Sequence, residues 1–404
     1  MNLLKNINRL RFVLCFGGLF GSTNSVSQAQ TDTKPNINYK YIDSISHQQH
    51  QHKNWNELLK TGKIAQKNHI NYYHLHLRLG DAATQTKKYR LANTQYQKAH
   101  RLNTFDDVAD QRLYWSKKST HDTEHSDLHA SKKSQLSPAF ANIFVEYGQK
   151  KPSNDTLYQN LYYAQVGFKH RVAKRLSMAY ALTNITQKSY YGNAKQQQIF
   201  IQTNIALQNG FLVSPAIHWL AITANTKTIK REQEPNQIDT ATMHYKPLLA
   251  SLQIKKSNTF FDLIATQSIS NIYTTTELQT TIGLNIYPLA NNTFALNANL
   301  FLHTIDQYQT INTPFNVGIN YATTKTNLNI TYLKGSKENV NELNGYLINN
   351  ATDPTTQRIH IHLSHNICKP INLYALYAIE QKIEFFKHIP YQNQLFLMGI
   401  KYNF

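Results

Sequence analysis

The chain of 404 residues has a formal net charge of +19, although only 16% of its residues are charged. Its mean hydropathy of −0.50, with 25 Tyr and 18 Phe, departs from that of a globular enzyme, of which about a quarter of the residues are charged. The basic residues are scattered, and no basic helix or aromatic RNA-binding motif occurs, so we expect no nucleic-acid partner. After the N-terminal segment, no apolar run is long enough for a transmembrane helix.

Residues 1–29 have the three parts of a secretory signal peptide. A start with three basic residues precedes the apolar run FVLCFGGLF and small residues that favour cleavage after Ala29. Removal of this segment would leave +16 on the chain. Cys15 follows Leu14, which is too large for a typical lipobox, so we expect Cys15 to be removed with the signal. Cys368 would then be the one remaining cysteine, and no intrachain disulfide would be possible.

Two polar stretches are predicted to be linkers, residues 30–53 and residues 119–138, because neither shows a clear periodicity. The first contains HQQHQH at residues 47–52, and clustered histidines can bind metal. No cysteine lies nearby, and no ligand spacing completes a site. We therefore interpret the histidines as a solvated tract and predict no metal site.

Residues 54–118 are predicted to form a helical, periplasmic segment. Apolar residues recur at helical spacing from Trp55 to Lys67. Further on, six residues match the tetratricopeptide (TPR) pattern, in which small residues let two antiparallel helices approach and large ones fill the groove: Leu79, Gly80, Tyr89, Ala92, Tyr96 and Ala99. The sequence predicts one full repeat, with half-repeats at Trp55 to Lys67 and at Asp107 to Lys117. An ordinary helical hairpin without a binding role is the alternative.

From residue 139 to residue 404 the pattern changes to a period of two, which is typical of β-strands. Apolar residues alternate with polar or small ones in segments around 143–147, 162–169, 177–183, 199–205, 296–303, 315–321 and 359–364. Inward Asn, Gln and His would be unfavourable in a dry core, but they suit a wet lumen. The lumen-facing candidates are Glu146, Gln165, Lys169, Gln202, Asn204, Asn297, Asn299, His303, Asn316, Asn320, His360 and His362.

Short and long connections alternate along this region, as they do when one end of a barrel faces the periplasm and the other the exterior. The segments predict an antiparallel transmembrane β-barrel of about fourteen strands, with the helical segment on the periplasmic side. Within the long stretch from Lys334 to Thr356, the portion NELNGYLIN (residues 341–349) is either an extra strand or part of a large external loop. The sequence is compatible with both an open and a plugged lumen.

The last segment, NQLFLMGIKYNF, ends on an aromatic residue, with apolar side chains at alternate positions: Phe396, Met398, Ile400, Tyr402 and Phe404. This pattern is typical of the closing strand of an outer-membrane barrel, whose apolar face contacts lipid. We expect it to be recognised by the barrel-assembly machinery. Taken alone, the segment also fits a strand of a soluble sandwich.

No P-loop, dinucleotide fingerprint, nucleophile elbow or zinc-protease motif occurs, so the sequence predicts neither an enzyme nor a cofactor. His360 and His362 share one face of a predicted strand, and we interpret them as pore-lining residues because no further ligands are identifiable. Charges expected in the lumen or at its rim, where they would tune selectivity or be solvated, are Glu146, Lys169, Glu277 and Glu380.

The signal, the motifs LRLG and YRLA within Leu79–Leu102, and the aromatic end resemble TPR-bearing outer-membrane barrels of Bacteroidetes-type bacteria, among them the YaiO-like barrels. Polysaccharide-export porins and surface-lipoprotein assembly modulators share the layout. The resemblance implies a channel or export barrel whose helical segment docks a periplasmic protein, and the net charge favours an anionic solute or polysaccharide. The alternative is a structural or adhesive surface protein that displays external loops from a plugged barrel.

Overall fold

The barrel predicted from the alternating pattern is present in the computed structural model. The structure describes residues 37–130, 138–153, 158–189, 192–229, 238–272, 276–305, 310–337, 340–348, 353–384 and 388–404. Asn38–Phe404 form one compact unit. The predicted signal of residues 1–29 lies outside the described residues, and so does the first part of the predicted linker.

The α-helices precede the strands along the chain. The described helices are α1 (Tyr39–Gln51), α2 (Trp55–Lys67), α3 (Tyr73–Gln85), α4 (Tyr89–Leu102), α5 (Asp107–Ser119), α6 (Thr123–Ser126) and the 3-10 turns η1 (Asp127–His129) and η2 (Gln208–Gly210). Within this part of the chain no helix is long and apolar enough to cross a membrane. The described strands are β1 (Phe140–Pro152), β2 (Tyr158–Ala173), β3 (Leu176–Ser189), β4 (Gly192–Ala206), β5 (Phe211–Ile229), β6 (Ile238–Tyr245), β7 (Leu248–Ser257), β8 (Phe261–Ser270), β9 (Glu277–Ile286), β10 (Phe294–Ile305), β11 (Thr310–Asn312), β12 (Phe315–Ala322), β13 (Thr326–Lys337), β14 (Asn341–Glu342), β15 (Leu347–Ile348), β16 (Thr355–Asn366), β17 (Ile371–Ile383) and β18 (Pro390–Asn403).

The described strands close into an antiparallel ring of fourteen wall strands. β6 and β7 count as one wall strand because both pair with β5, and β11 and β12 count as one because both pair with β10. β1 and β18 close the ring, with pairs running from Asn142–Asn403 to Pro152–Asn393. The predicted fold class, a transmembrane β-barrel of about fourteen strands preceded by helices, is confirmed.

Two prolines explain the two interrupted wall strands: Pro247 lies between β6 and β7, and Pro314 between β11 and β12. Proline has no backbone N–H to donate to a neighbouring strand. Its carbonyl still accepts, since the backbone N of Leu220 donates to the oxygen of Pro247 at 2.9 Å and that of Phe301 to the oxygen of Pro314 at 3.0 Å. Each wall strand therefore stays paired with the same neighbouring strand on both sides of its proline.

The exterior of the wall is apolar, with outward side chains such as Val145 (53% exposed) and Ile319 (48% exposed) alternating with sheltered residues. The residues predicted for the closing strand lie on this exposed face: Phe396, Met398, Ile400, Tyr402 and Phe404. A large continuous apolar surface is unfavourable in water. Its presence around a closed barrel is typical of a wall that faces lipid.

An arginine on the outer face should reveal the lipid contact. We expect Ile361→Arg, near the middle of β16, to destabilise the folded barrel in bilayers by about 2–4 kcal/mol, because it would place a charge in hydrocarbon. His362→Arg, one residue further on the sheltered face, is the matched control and should have a smaller effect. Equilibrium unfolding from vesicles measures both variants; equal free-energy changes would contradict the assignment of the two faces.

The ends of the barrel differ in their connections, as predicted. At the turn end, the strand pairs β2–β3, β4–β5, β7–β8, β9–β10, β12–β13 and β16–β17 are joined by short turns. The exposed, free Cys368 lies in one of these turns. The longest connections, between β5 and β6 and between β13 and β16, lie at the opposite end, which we call the loop end, although β3 and β4 are separated there by residues 190–191 alone. Strand β1 begins and strand β18 ends at the turn end. The helices pack at this end as well.

Helix α1 shows that the prediction of a linker over residues 30–53 is wrong for most of its length. Asn38 begins the helix by accepting from the backbone N of Tyr41 at 3.0 Å. Only Ile42 and Ser46 are buried, and two positions are too few to give a visible period. A contact from outside the helix fixes α1, since Arg78 of α3 lies 2.7 Å from a carboxylate oxygen of Asp43.

Helices α2–α5 form the predicted helical segment, and we call α1–α5 the helical cap. Of the six TPR-type packing residues, Tyr89 is half-buried, and those buried are Leu79, Gly80, Ala92, Tyr96 and Ala99. Gly80 lies so close to Tyr96 that a β-carbon at position 80 would be 2.2 Å from the ring. Helices α3 and α4 therefore nest through a small residue against a large one.

The prediction of a linker over residues 119–138 is wrong in its first half. α5 ends at Ser119, and α6 and η1 follow after a short turn, so that residues 122–129 form a compact element. His125, Ser126 and Asp127 are buried. Their burial comes from contacts with the barrel, which a local polar sequence does not reveal. Residues 131–137 lie outside the described residues.

Candidate functional site

The sheltered face of the wall carries the residues that the sequence predicts for the lumen. The buried ones are Gln165, Asn204, His303 and Asn316, and the half-buried ones are Glu146, Lys169, Gln202, Asn297, Asn299, Asn320, His360 and His362. Neighbours bond to each other along this face: the side-chain amide of Gln202 donates to Asn204 at 2.7 Å, and that of Asn299 to Asn316 at 2.8 Å. They form a distributed polar lining and are not gathered into one site.

The four charges predicted for the lumen or its rim all have polar partners. Lys169 pairs with Glu124, and Glu146 accepts from the hydroxyl of Tyr374 at 2.8 Å. Glu380 lies 2.8 Å from the ammonium of Lys150. The carboxylate of Glu277 lies 3.7 Å from the imidazole of His303 and accepts from Ser270 at 3.0 Å. The sequence predicted the positions of these four charges but not the residues that pair with them.

The stretch left open between an extra strand and an external loop is neither. Residues 340–348, which we call the lumen hairpin, pair β14 with β15 in a small sheet apart from the wall. The hairpin follows β13 and precedes β16, which both meet it at the loop end. It folds into the barrel, where Val340, Asn341, Glu342 and Asn344 are buried.

Contacts of the lumen hairpin reach opposite sides of the wall. At one side, Nη2 of Arg358 on β16 donates to both carboxylate oxygens of Glu342, at 2.7 and 2.8 Å. At the other, Asn344 donates to the backbone oxygen of Ser214 on β5 at 2.8 Å. Counting around the ring from β16, β5 is the seventh neighbour, which in a ring of fourteen is the diametrically opposite strand. The hairpin therefore crosses the lumen.

Further hydrogen bonds connect the hairpin to β5, β7, β8 and β9. Nδ1 of His218 donates to the backbone oxygen of Gly345 at 2.8 Å, and Ser251 donates to that of Asn344 at 2.9 Å. The backbone and side chain of Asn341 bond to side chains on β9 and β8, at 3.0 Å to Gln279 and 2.9 Å to Ser268. Most of these contacts are polar, so water can replace them if the hairpin leaves.

A small aromatic group lies where the hairpin meets β1–β5. The ring of Tyr346 lies edge-on to Phe200, with centroids 5.1 Å apart, and Phe200 lies edge-on to His218 at 5.5 Å. Tyr346 and Phe144 pack against the buried cluster that Phe200 forms with two alanines. This is the apolar part of the closure, and it is small compared with the polar part.

The turn end is narrowed by residues 122–129, which we call the mouth segment. Glu124 pairs with Lys169, which lies on the sheltered face of β2. The imidazole of His125 donates from Nε2 to the backbone oxygen of Phe211, the first residue of β5, at 2.9 Å. The carboxylate of Asp127 lies 3.7 Å from Nε of Arg171. Acidic side chains of the mouth segment thus form ion pairs with cationic side chains of the wall.

Two acids of the mouth segment, Glu124 and Asp122, are ionised at neutral pH. Burial alone would raise the pKa of Glu124, but the charge of Lys169 and its hydrogen bond outweigh burial and hold that pKa below its ordinary value. The pKa of Asp122 is likewise lowered, because the bond from His125 and the charge of Lys117 outweigh burial. At neutral pH, ionised Glu124 therefore binds Lys169 of the wall, while ionised Asp122 binds Lys117 and His125. These contributions are lost as the pH falls through the lowered pKa values.

The helical cap is attached to the turn end chiefly through Arg90 of α4. Its Nη2 lies 2.5 Å from a carboxylate oxygen of Asp262 and donates to the backbone oxygen of Asn258 at 2.6 Å, while Nε donates to that of Thr259 at 3.0 Å. The guanidinium also lies over the ring of Tyr287, 3.7 Å from its centroid. These four interactions, with the β7–β8 turn, with Asp262 at the start of β8 and with Tyr287 after β9, make Arg90 the anchor of the cap.

An apolar exterior around a closed antiparallel ring, with a polar lining inside, defines a transmembrane β-barrel. The chain is therefore an outer-membrane β-barrel protein of a bacterium. It differs from a simple pore in that one chain segment crosses the lumen and another fills part of the mouth at the turn end. No protein-family model matches the chain, and no curated protein is similar to it in sequence.

Solved structures of other outer-membrane proteins are similar at low identity. A Pseudomonas aeruginosa FadL homologue aligns over 67% of this chain and 93% of its own, with a TM-score of 0.43 and 8% identity. The Pseudomonas putida toluene transporter TodX aligns over 66% and 90%, with a TM-score of 0.44 and 8% identity. The KdgM porin aligns over 65% and 99%, with a TM-score of 0.32 and 7% identity.

Proposed function

We propose that the chain is a gated outer-membrane channel that opens when the lumen hairpin leaves the barrel. The observation that carries the proposal is the polar attachment of the hairpin to opposite sides of the wall. A permanent plug is expected to pack through apolar side chains, whereas the exchange of a neutral hydrogen bond for bonds to water costs a net free energy of only about 0.5–1.5 kcal/mol. The polar lining is then ready to be hydrated.

An anionic solute or polysaccharide is the cargo that the charges favour. Lys169 and Arg171 face the mouth segment, where they form ion pairs with Glu124 and Asp127 respectively. If the segment withdraws, these cations face the passage. An anionic cargo would then replace the acids of the mouth segment, which would behave as an internal competitor.

The helical cap is proposed to be a TPR-like docking module for a periplasmic protein. The nested pair α3–α4 supports this, with Gly80 against Tyr96. The turn between α4 and α5 carries Phe105, which is 97% exposed. Because the cap is joined to the mouth segment through α5, a partner bound to the cap would be able to pull on the mouth of the barrel.

Planar-bilayer recording of the full chain tests the channel and its selectivity together. We expect brief openings with an anion preference in a salt gradient. Lys169→Gln should shift the reversal potential towards cation preference, because it removes a positive charge from the passage. Lys188→Gln, at an exposed position of β3, is the matched control and should leave the potential unchanged. An unaltered potential in the first variant would contradict the cargo proposal.

A structural or adhesive surface protein is the second candidate. The many contacts between hairpin and wall also suit a barrel that stays closed. The two candidates differ in conductance. A protein that passes no current in any condition, even without its hairpin, would favour the structural role.

A further inference from the structure

Three potential metal ligands meet at the junction between the helical cap and the mouth segment. They are His100 on α4, Asp110 on α5 and His129 on η1, and within the described residues they are the one such group whose ligand atoms all lie within 4.8 Å of one another. Nδ1 of His100 lies 3.1 Å from Oδ1 of Asp110, and Nδ1 of His129 lies 2.9 Å from the same oxygen. The two imidazole rings are 5.5 Å apart and nearly perpendicular.

One nitrogen of this group is not satisfied by the protein. Nδ1 of His100 is buried and makes no hydrogen bond among the described residues, although Asp110 is near. His129 already bonds to the same carboxylate oxygen, so this oxygen faces two imidazoles. A cation between the three atoms would accept the lone pair of each, and buried polar atoms are rarely left without a partner.

The ligand set fits a first-row transition ion. Two imidazoles and one carboxylate are the ligands that Zn²⁺ takes in three-ligand sites, with water at the fourth position. Tetrahedral bonds of about 2.0–2.2 Å separate ligand atoms by roughly 3.3 Å, so the present spacings need only a small expansion. Calcium and magnesium prefer sites made of oxygen alone.

We propose that His100, Asp110 and His129 bind one divalent transition-metal ion, for which Zn²⁺ is the probe. The ion can enter from solvent, since the three side chains are 26%, 24% and 17% exposed. Its ligands come from α4, α5 and η1, so a bound ion would tie the mouth segment to the helical cap. The site does not depend on the barrel being a channel.

The histidine tract at residues 47–52 is not part of this site. His50 lies 2.9 Å from Oδ2 of Asp81, and Arg112 occupies the same oxygen at 2.6 Å. His47 and His52 are exposed. These two histidines therefore provide a matched control for weak surface binding.

Metal content and affinity of the purified full chain test the inference. After removal of metal by a chelator, the protein is expected to take up one Zn²⁺ per chain, by titration calorimetry and elemental analysis. His100→Gln and His129→Gln should each weaken binding by more than about tenfold, because each removes one of three ligands. The control His47→Gln/His52→Gln should keep one ion at unchanged affinity.

Two outcomes would overturn the inference. One is the absence of stoichiometric binding in the wild-type protein, which would leave Asp110 as the hydrogen-bond partner of His129 alone. The other is binding that survives His129→Gln but is lost in His47→Gln/His52→Gln, which would assign the ion to the surface tract. Absorption spectra of bound Co²⁺ separate these cases without reference to activity. If the ion lies at the proposed site, its spectrum should be lost in His100→Gln and in His129→Gln and should be kept in His47→Gln/His52→Gln.

Discussion

Arg90→Ala is expected to release the helical cap from the barrel while the barrel itself stays folded. Arg90 and Asp262 are 10% and 6% exposed in their side chains. Removing one partner of such a buried pair leaves the other charge uncompensated and weakens the attachment by about 3–5 kcal/mol. The backbone oxygens of Asn258 and Thr259 would lose their donor as well.

Hydrogen exchange of the full chain in bilayers measures the release. Amides of α3–α5 should exchange faster in Arg90→Ala, while those of the wall strands keep their protection. In Arg90→Lys the exchange rates should lie between those of the wild-type chain and Arg90→Ala. An ammonium keeps the positive charge but lacks the several planar N–H donors of a guanidinium. Lys60→Ala is the control: it breaks the exposed pair with Glu57, which is worth about 0–1 kcal/mol. Unchanged exchange in Arg90→Ala would show that another contact anchors the cap.

The wall of the barrel could be predicted from sequence because its signal is local. Each wall strand needs only that neighbouring residues alternate in polarity, and every residue from Phe396 to Phe404 contributes to that pattern. The same holds for the helical pair α3–α4, in which Gly80 and Tyr96 lie within one short stretch. The two faces of the wall follow from the strand period and from the difference between lipid and water as surroundings.

The elements that close the barrel could not be predicted, because their partners are distant in sequence. Asn341 bonds to Ser268 across 73 residues, and Asn344 to Ser214 across 130. The mouth segment is polar and short, and its burial comes from Lys169 and Phe211 on the wall. Such segments have no periodicity of their own, so that a sequence pattern cannot distinguish them from solvated loops.

The net charge of the chain is likewise a poor guide to the lumen. Several cations that line it are already paired with acids of the same chain, as Lys150 is with Glu380 and Arg358 with Glu342. These cations are therefore already neutralised by acids while both closures are in place. We expect selectivity for anions to depend on the withdrawal of the acids and not on the overall charge of +19.

Withdrawal of the lumen hairpin is expected to convert brief openings into a sustained current. In the first variant, a short Gly-Ser linker replaces residues 341–347, which removes the segment that crosses the lumen. In the second, Arg358→Gln leaves the carboxylate of Glu342, 8% exposed in its side chain, without its guanidinium. That change weakens the attachment of the hairpin by about 3–5 kcal/mol and should raise the open fraction by more than about a hundredfold.

Single-channel recording distinguishes the hairpin from the mouth segment as the closure that limits current. Lys151→Gln is the matched control, since it removes an exposed charge at the same end of the barrel and should leave the open fraction unchanged. If replacement of residues 341–347 gives no more current than the wild-type chain, the hairpin is not the limiting closure. In that case current that appears only after Glu124→Gln and Asp127→Asn are added would assign the role to the mouth segment, whose ion pairs with Lys169 and Arg171 those changes remove.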